Sequence, residues 1–432
     1  MRQFLLPFLL LLIFSSCTQN DVIEEVPPKN EVPVQKKLAG RIIIHDLEKT
    51  EDAYVLVNDA INNRVYIIEK NESEILYEWK LPSGIGNDAV LMEDGNLLVA
   101  LTDPEPAYNF GGYGGRIAIV KPNGDLIWNY TYSDEKNLAH HDIEMLPNGN
   151  ILFIVWEKKD SNEIRRSGYT GEEEVIYTEK ILEVNPANNE IVWEWDVWDH
   201  LVQEEEPLLA NYGSVAGSPA KVNVNYVDHL KEGLYNGDIF HANGLEYDKE
   251  NDLIFLSVNY FSEVWIIDHS TTTEEAKGST GGDYGKGGDL VYRIGNPAAY
   301  DNSEGERMFY HNHHPNLVPG KNNLLVFSNG IPSVDAHSIV YELELPEVYE
   351  LRSSTNNELN VAWSFAHEDF FSAKVSGARR LPNGNTLITE GSAGYWEVTN
   401  TGEVVWRFEG DGFFWRGYHY AKNDSALGPL GL

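Results

Sequence analysis

The chain has 432 residues, 12% of them aromatic, with 37 Gly and 19 Pro, and its short apolar stretches parted by turn residues point to an all-β protein of many short strands. Asp and Glu number 68 against 32 Lys and Arg, a formal net charge of −36. That field repels a phosphate backbone and excludes nucleic acid as a partner, while an anionic small molecule can enter only a pocket whose own groups oppose it.

In chain order, Arg2 precedes an apolar run from Phe4 to Phe14 that is too short for a confident membrane span, and Ser15 and Ser16 lead into Cys17. Residues 1–16 look like a bacterial lipoprotein signal, with cleavage before Cys17 and acylation of its thiol. Phe14 stands where such signals usually carry Leu, and an ordinary secretory signal or an uncleaved anchor is the competing reading. Cys17 is the only cysteine, so an intramolecular disulfide is impossible and a cysteine-ligated metal is not expected. Residues 17–37 then read as the acylated Cys and a flexible tether, polar and Pro-rich in TQNDVIEEVPPKNEVPVQKK. The expected location is the periplasm or the cell surface, with the membrane as a partner through the N-terminal lipid anchor.

Beyond the tether the chain repeats. An acidic residue, two apolar residues, an aromatic, any residue and a large apolar one recur as EILYEW from Glu74, DLIWNY from Asp125, EIVWEW from Glu190, DLVYRI from Asp289 and EVVWRF from Glu403, with a looser copy, NVAWSF, from Asn360. Alternation marks each as a strand, usually following a tight turn. A second motif, turn residues followed by an apolar run, precedes most of them: MEDGNLLVAL from Met92, LPNGNILFIV from Leu146, YDKENDLIFLSV from Tyr247, VPGKNNLLVFS from Val318 and LPNGNTLITEG from Leu381. The first unit is less regular and takes its strands from EDAYVLVNDAINNRVYIIEK at Glu51. Six such units predict one six-bladed β-propeller over residues 38–432, with insertions near residues 158–176, 200–236 and 270–288. A pair of β-sandwiches is the alternative, but it does not require the same hairpin six times. Trp128, Trp193 and Trp406 in the repeated strands are expected to pack between blades.

Histidines head three consecutive units: His141 before DIEMLPNGN, His241 in HANGLEYD and His313 in HHPNLVPGKNN. In a propeller the innermost strand of each blade lines the central channel, so residues at its start gather at one mouth. Asn87 and Ser376 hold about the same place in the second and sixth units. Three imidazoles there can bind Zn²⁺ with an open position, or act as nucleophile, acid and anion binder around a transferring group. His140, His311 and His314 are close enough in sequence to share either role, and spacing does not choose. The glycine-rich GGDYGKGGD from Gly281 lacks the strand-to-helix context of a phosphate loop, and the EEE runs at 172 and 204 read as solvated loop charge.

The stretches HHDIEMLPNGNILFIVWE, IVWEWDVWDHLVQ, HANGLEYDKENDLIFLSVNYFSEVWIIDHSTTTEEA, GGDLVYRIGNP and NHHPNLVPGKNNLLVFSNG resemble the bacterial arylsulfotransferase family, which moves sulfuryl groups between phenols without a nucleotide sulfate donor. The resemblance runs from about residue 85 to the end of the chain. It implies a six-bladed propeller, an aryl sulfate and a phenol as small-molecule partners, no cofactor and no resident metal. It also implies a ping-pong reaction through a sulfated histidine. The histidine 14 residues before the FSNG that starts at Phe327 takes the attacking role, which selects His313, with His241 and His141 as the other catalytic histidines. The family usually has an arginine where this chain has Asn259, and a neutral amide is a weaker partner for sulfuryl oxygens than a guanidinium. Substrate-binding candidates are therefore Asn259, His314, His140 and Arg379; Arg379 and Arg380, ahead of the LPNGN turn, are expected near the same mouth. A non-catalytic surface propeller that binds a sulfated or phenolic ligand, or a histidine-ligated metalloenzyme, would use the same residues.

Overall fold

The computed structural model describes residues 36–226, 236–334 and 337–432. The signal, Cys17 and nearly all of the tether lie outside the described residues. Lys37–Leu432 form one unit built from six antiparallel sheets arranged as the blades of a propeller. The innermost strands are Ile85–Leu91, Asn137–Met145, Ala242–Asp248, Asn312–Leu317 and Gly377–Arg380 in the second to sixth blades, and Phe414–Ala421 in the first. The repeated acidic–apolar–aromatic segments form the fourth strands, for example Leu126–Thr131, Glu190–Asp196 and Val361–Phe365.

Both ends of the described chain close the ring. Arg41–His45 pairs with Val404–Glu409 as a fifth, outer strand of the sixth blade. Phe414–Ala421 crosses to the first blade and pairs with Ala53–Asp59 as its inner strand. Apolar side chains fill the seams between neighbouring blades. Trp406 is fully buried with Val55, Val57 and Tyr66 at the seam between the sixth and first blades, and truncating such a side chain costs about 3–5 kcal/mol. Trp193 is buried between the third and fourth blades. Trp128 is half-buried and stacks on Tyr130 at 5.7 Å.

The inner strands are irregular in a way that matters for the channel. In five blades their pairing with the second strand slips near the middle: between Ile85 and Ala89, opposite Phe153 and Ile154, between Ala242 and Gly244, between His313 and Asn316, and opposite Val57 and Asp59. A bulge leaves a residue unpaired and re-aims its side chain. Asn87, His141, His241 and His314 take left-handed backbone angles at or beside these slips, with φ of 92°, 55°, 53° and 48°, a region in which Asn and His are enriched. His141 and His313 thus lie inside their strands rather than before them, and only His241 precedes its strand.

The antiparallel alternation of strands sends residues 158–176 and 200–226 to the end of the channel where the inner strands begin. The first contains the helix Ser161–Ser167, started by Asp160, whose carboxylate accepts the Asn162 and Glu163 N–H groups. The 270–288 insertion packs instead on the third blade, where Trp195 Nε1 donates to Gly288 O at 2.8 Å.

Candidate active site

At the mouth where the inner strands begin there is a cavity of about 780 Å³, lined by His141, His241, His311, His313, Asn259 and Trp415 among others. The three histidines that head consecutive units therefore do converge. His141 and His241 meet edge to face with ring centroids 4.7 Å apart, and Trp415 lies 5.6 Å from the His141 ring and 6.2 Å from that of His313.

Each ring is held by one nitrogen. His313 Nδ1 is 2.6 Å from Asn329 Oδ1. The amide of Asn329 cannot be turned round, because its Nδ2 donates to Ser372 O at 2.7 Å and to Val375 O at 3.0 Å. Asn329 Oδ1 must therefore accept, His313 carries its proton on Nδ1, and the lone pair of Nε2 is free. Burial drives the pKa of His313 down to about 3 despite the Asn329 hydrogen bond, so the ring is neutral at neutral pH. A neutral imidazole with one oriented lone pair is a nucleophile.

His241 is held differently. Asp238, itself buried, accepts both the His241 backbone N–H at 3.0 Å and the ring Nδ1–H at 2.6 Å. The ring stacks on Tyr260 with centroids 4.7 Å apart, and Nε2 has no hydrogen-bond partner among the described residues. A buried carboxylate against Nδ1 orients the ring and stabilises it when Nε2 takes up a proton.

His141 is reached through a chain of buried groups. Its Nδ1 lies 2.7 Å from Nδ1 of His140, whose Nε2 lies 3.0 Å from Glu179 Oε2. His140 does not line the cavity; it stacks on Trp156 at 3.7 Å behind His141. The sense of donation along Glu179, His140 and His141 decides which nitrogen of His141 faces outward with a proton. Burial, then the Asp238 charge, holds the Glu179 carboxyl well above the ordinary range, and burial keeps both histidines well below theirs. Gly112, at φ +91°, packs so closely that an added Cβ would stand 2.0 Å from His141 Nε2; only a glycine fits there.

Asn259 lines the same cavity, but its Nδ2 is turned to Asn312 O at 3.3 Å. It brings no charge to the site.

His314 and Arg379 are elsewhere. They line a second cavity of about 1210 Å³ formed by the C-terminal ends of the inner strands, together with Glu144, Glu246 and Tyr418. His314 Nδ1 accepts the Ala378 N–H at 3.2 Å, and the Arg379 guanidinium lies over the Tyr418 ring at 4.7 Å. The reason is the direction of the strand. Gly377–Arg380 starts at the histidine mouth and runs toward the LPNGN turn, so a residue just before that turn sits at the far end of the channel. Arg380 lines the same far cavity, where it pairs with Glu342. In the wall of this far cavity Arg416 binds both oxygens of Asp142 at 2.7 Å, and Tyr418 donates to Asp88 at 2.7 Å. Among the described residues no three His, Cys, Asp or Glu side chains are grouped so as to hold a metal ion.

Asn329, Asp238 and Glu179 escape a reading of the sequence, as does Trp415. Asn329 leaves a trace, since it is the Asn of the FSNG segment by which His313 was singled out. Asp238 precedes His241 by three residues, a spacing too common to be noticed.

No curated protein matches the chain. Among solved structures, a protein of unknown function from Bacteroides caccae superposes with a TM-score of 0.49 at 14% identity, covering 86% of this chain and 100% of that one. The β-propeller domain of Cps50 (Swd1) from Myceliophteria thermophila gives a TM-score of 0.38 at 9% identity, covering 85% and 89%. The family model described as Arylsulfotransferase (ASST) matches residues 79–411, a span that takes in His141, His241, His313 and their partners Asn329, Asp238 and Glu179, and so the chain belongs to the arylsulfotransferase family.

Proposed function

We propose that the protein is a nucleotide-independent aryl-sulfate sulfotransferase that carries the sulfuryl group on His313. The observation that supports this most directly is the fixed Asn329 amide, which leaves Nε2 of a neutral His313 as a free lone pair on the cavity wall. In the first half-reaction His313 Nε2 bonds to sulfur as the sulfur–oxygen bond to the aryl group breaks. The departing oxygen takes that electron pair and a proton from His241 Nε2, the ring entering the step protonated on both nitrogens beside Asp238. The His313 ring, sulfated on Nε2 and protonated on Nδ1, then carries a positive charge against Asn329 Oδ1. In the second half-reaction an acceptor phenol gives its proton to His241, its oxygen bonds to sulfur, and the nitrogen–sulfur pair returns to His313.

The test is to expose the protein briefly to an aryl sulfate and map the added sulfuryl mass. It should fall on the peptide containing His313 and vanish in His313→Ala. Labelling that persists in that variant would move the role to His311, which lines the same cavity, and turnover without any labelled peptide would rule out the covalent intermediate.

The uncharged Asn259 favours a second reading, a surface propeller that binds a sulfated or phenolic ligand without turning it over. A chromogenic aryl sulfate with a phenol acceptor separates the two, since only the first reading releases coloured phenol. We also propose that Cys17 is acylated and holds the protein on a membrane face outside the cytoplasm. Cys17→Ala should shift it to a soluble fraction or leave it unprocessed, and unchanged fractionation would refute the anchor.

A further inference from the structure

Sulfuryl transfer puts negative charge on three terminal oxygens and on a leaving phenolate, so a site for it needs donors that face those atoms. Asn259 supplies no charge, and Arg416 is committed to both oxygens of Asp142. One Lys or Arg stands among the described residues that line the histidine cavity, Lys374. In a chain with 68 Asp and Glu, it has no acidic or hydrogen-bonding partner for its ammonium among the described residues.

The loop that carries Lys374 is built rather than slack. Ser372 Oγ donates to Lys374 O at 2.8 Å, and Ser376 Oγ reaches the same carbonyl at 3.4 Å. Val375 stands at φ 53°, a costly angle for a β-branched residue that persists only where the surroundings enforce it. What enforces it is Asn329, whose Nδ2 donates to Ser372 O and Val375 O while its Oδ1 accepts from His313. One side chain therefore fixes both the reacting nitrogen and the loop bearing the cation.

Two further donors stand in the same wall. Asn87 Nδ2 and Trp415 Nε1 are buried and have no acceptor among the described residues; a buried N–H without an acceptor is costly, and its presence at a cavity calls for a ligand oxygen. Trp415 lies between His141 and His313, and Asn87 stands in the inner strand of the second blade.

We propose that the Lys374 ammonium, with the N–H groups of Asn87 and Trp415, forms the cradle that holds the terminal oxygens of a sulfate monoester against His313 Nε2. Lys374 supplies from the loop between the fifth and sixth blades the positive charge that position 259 lacks. As a catalytic assignment this rests on the sulfotransferase reading, but as an anion site it stands independently and can be tested separately.

The experiment pairs calorimetric titration with inorganic sulfate and steady-state turnover of a chromogenic aryl sulfate, for the wild type, Lys374→Gln, Lys374→Arg, Trp415→Phe and the double variant Lys374→Gln/Asn259→Arg. Lys374 is exposed, so its variants should fold, and thermal melting checks that. Lys374→Gln should lower kcat/KM by on the order of 10²-fold and weaken sulfate binding about tenfold. Lys374→Arg should keep turnover within about tenfold of wild type, Trp415→Phe should lose roughly three- to tenfold, and the double variant should recover turnover over Lys374→Gln alone. If the wild type binds sulfate through Lys374 but never turns over an aryl sulfate, the catalytic reading fails and the cradle stands. Sulfate binding and turnover that Lys374→Gln leaves within about threefold, or no sulfate binding by the wild type at all, would overturn the cradle.

Discussion

The two ends of the channel are built from the same six strands and yet differ in chemistry. Where the strands begin, the cavity holds His141, His241 and His313, each tied by one nitrogen to a side chain behind it, and a lysine with no counter-charge among the described residues. Where they end, the cavity holds Glu144, Glu246, Arg379 and Arg380, the last of them paired with Glu342. Burial pushes both glutamates up, and the Arg379 charge pulls them back. A propeller axis offers two mouths, and the contrast teaches that reactivity follows from groups left half-satisfied. The difference is made by bulges: they turn His141 toward one cavity while its neighbour Asp142 lines the other.

The sharpest way to break this comparison is to remove one histidine. His313→Ala should cost on the order of 10⁴-fold or more in kcat/KM with an unchanged circular dichroism spectrum, whereas Arg379→Gln at the opposite mouth should stay within about threefold. Equal losses from both would mean that the chemistry is not confined to one end.

Asp238→Asn comes next. It removes the carboxylate that orients His241, and should lower kcat by on the order of 10²-fold or more with a smaller change in KM. Loss confined to KM would make His241 a binding group.

Asn329→Asp changes one atom of the nucleophile's support and puts a negative charge beside Nδ1. The folded pKa of His313, about 3 in the wild type, should rise, because a carboxylate favours the imidazolium. Since the neutral ring attacks, activity lost by protonation should move to higher pH in this variant, while in the wild type His313 itself limits the rate only in strong acid. A pH–rate profile of kcat/KM for both proteins reads the displacement. No movement of the acid limb would separate Asn329 from the reacting ring.

The smallest expected effect contrasts the cavity histidines with one on the outside. His269 bonds Asp252 at 2.7 Å and Glu183 at 3.0 Å, joining the third and fourth blades. These carboxylates hold its pKa above the ordinary value in spite of burial. A raised pKa means that this clasp contributes fully below the unfolded value of about 6.5 and is lost as pH rises through the folded one. The wild-type Tm should therefore fall by on the order of 1 °C more than that of His269→Gln on going from pH 6 to pH 9. Parallel Tm curves would show that the clasp does not titrate.

The legible parts of this molecule are those that repeat. Six copies of one fourth-strand pattern gave the blade count, and three histidines in register showed which end of the channel to examine, because periodicity and register survive in one dimension. The bulges did not, since a slip in pairing is a property of two strands. Nor did direction: Arg379 seemed close to His313 because both stand near inner-strand turns, yet these turns lie at opposite ends. Lys374 was invisible for a third reason. Its loop has no period, and the bond that fixes it comes from Asn329, 45 residues earlier.

The crossing of Phe414–Ala421 into the first blade has a consequence for biosynthesis. That strand brings Trp415 to the wall between His141 and His313 and sets Arg416 beneath them, while its backbone pairs with residues made some 360 positions before it. A ribosome must pass Ala421 before either contribution exists, so a nascent chain that already contains all three histidines still lacks one side of the pocket and the seam that shuts the ring. Competence would then arrive in one late step, when the newest strand meets one of the oldest, and every truncated product would be inert for the same reason that it is unclosed.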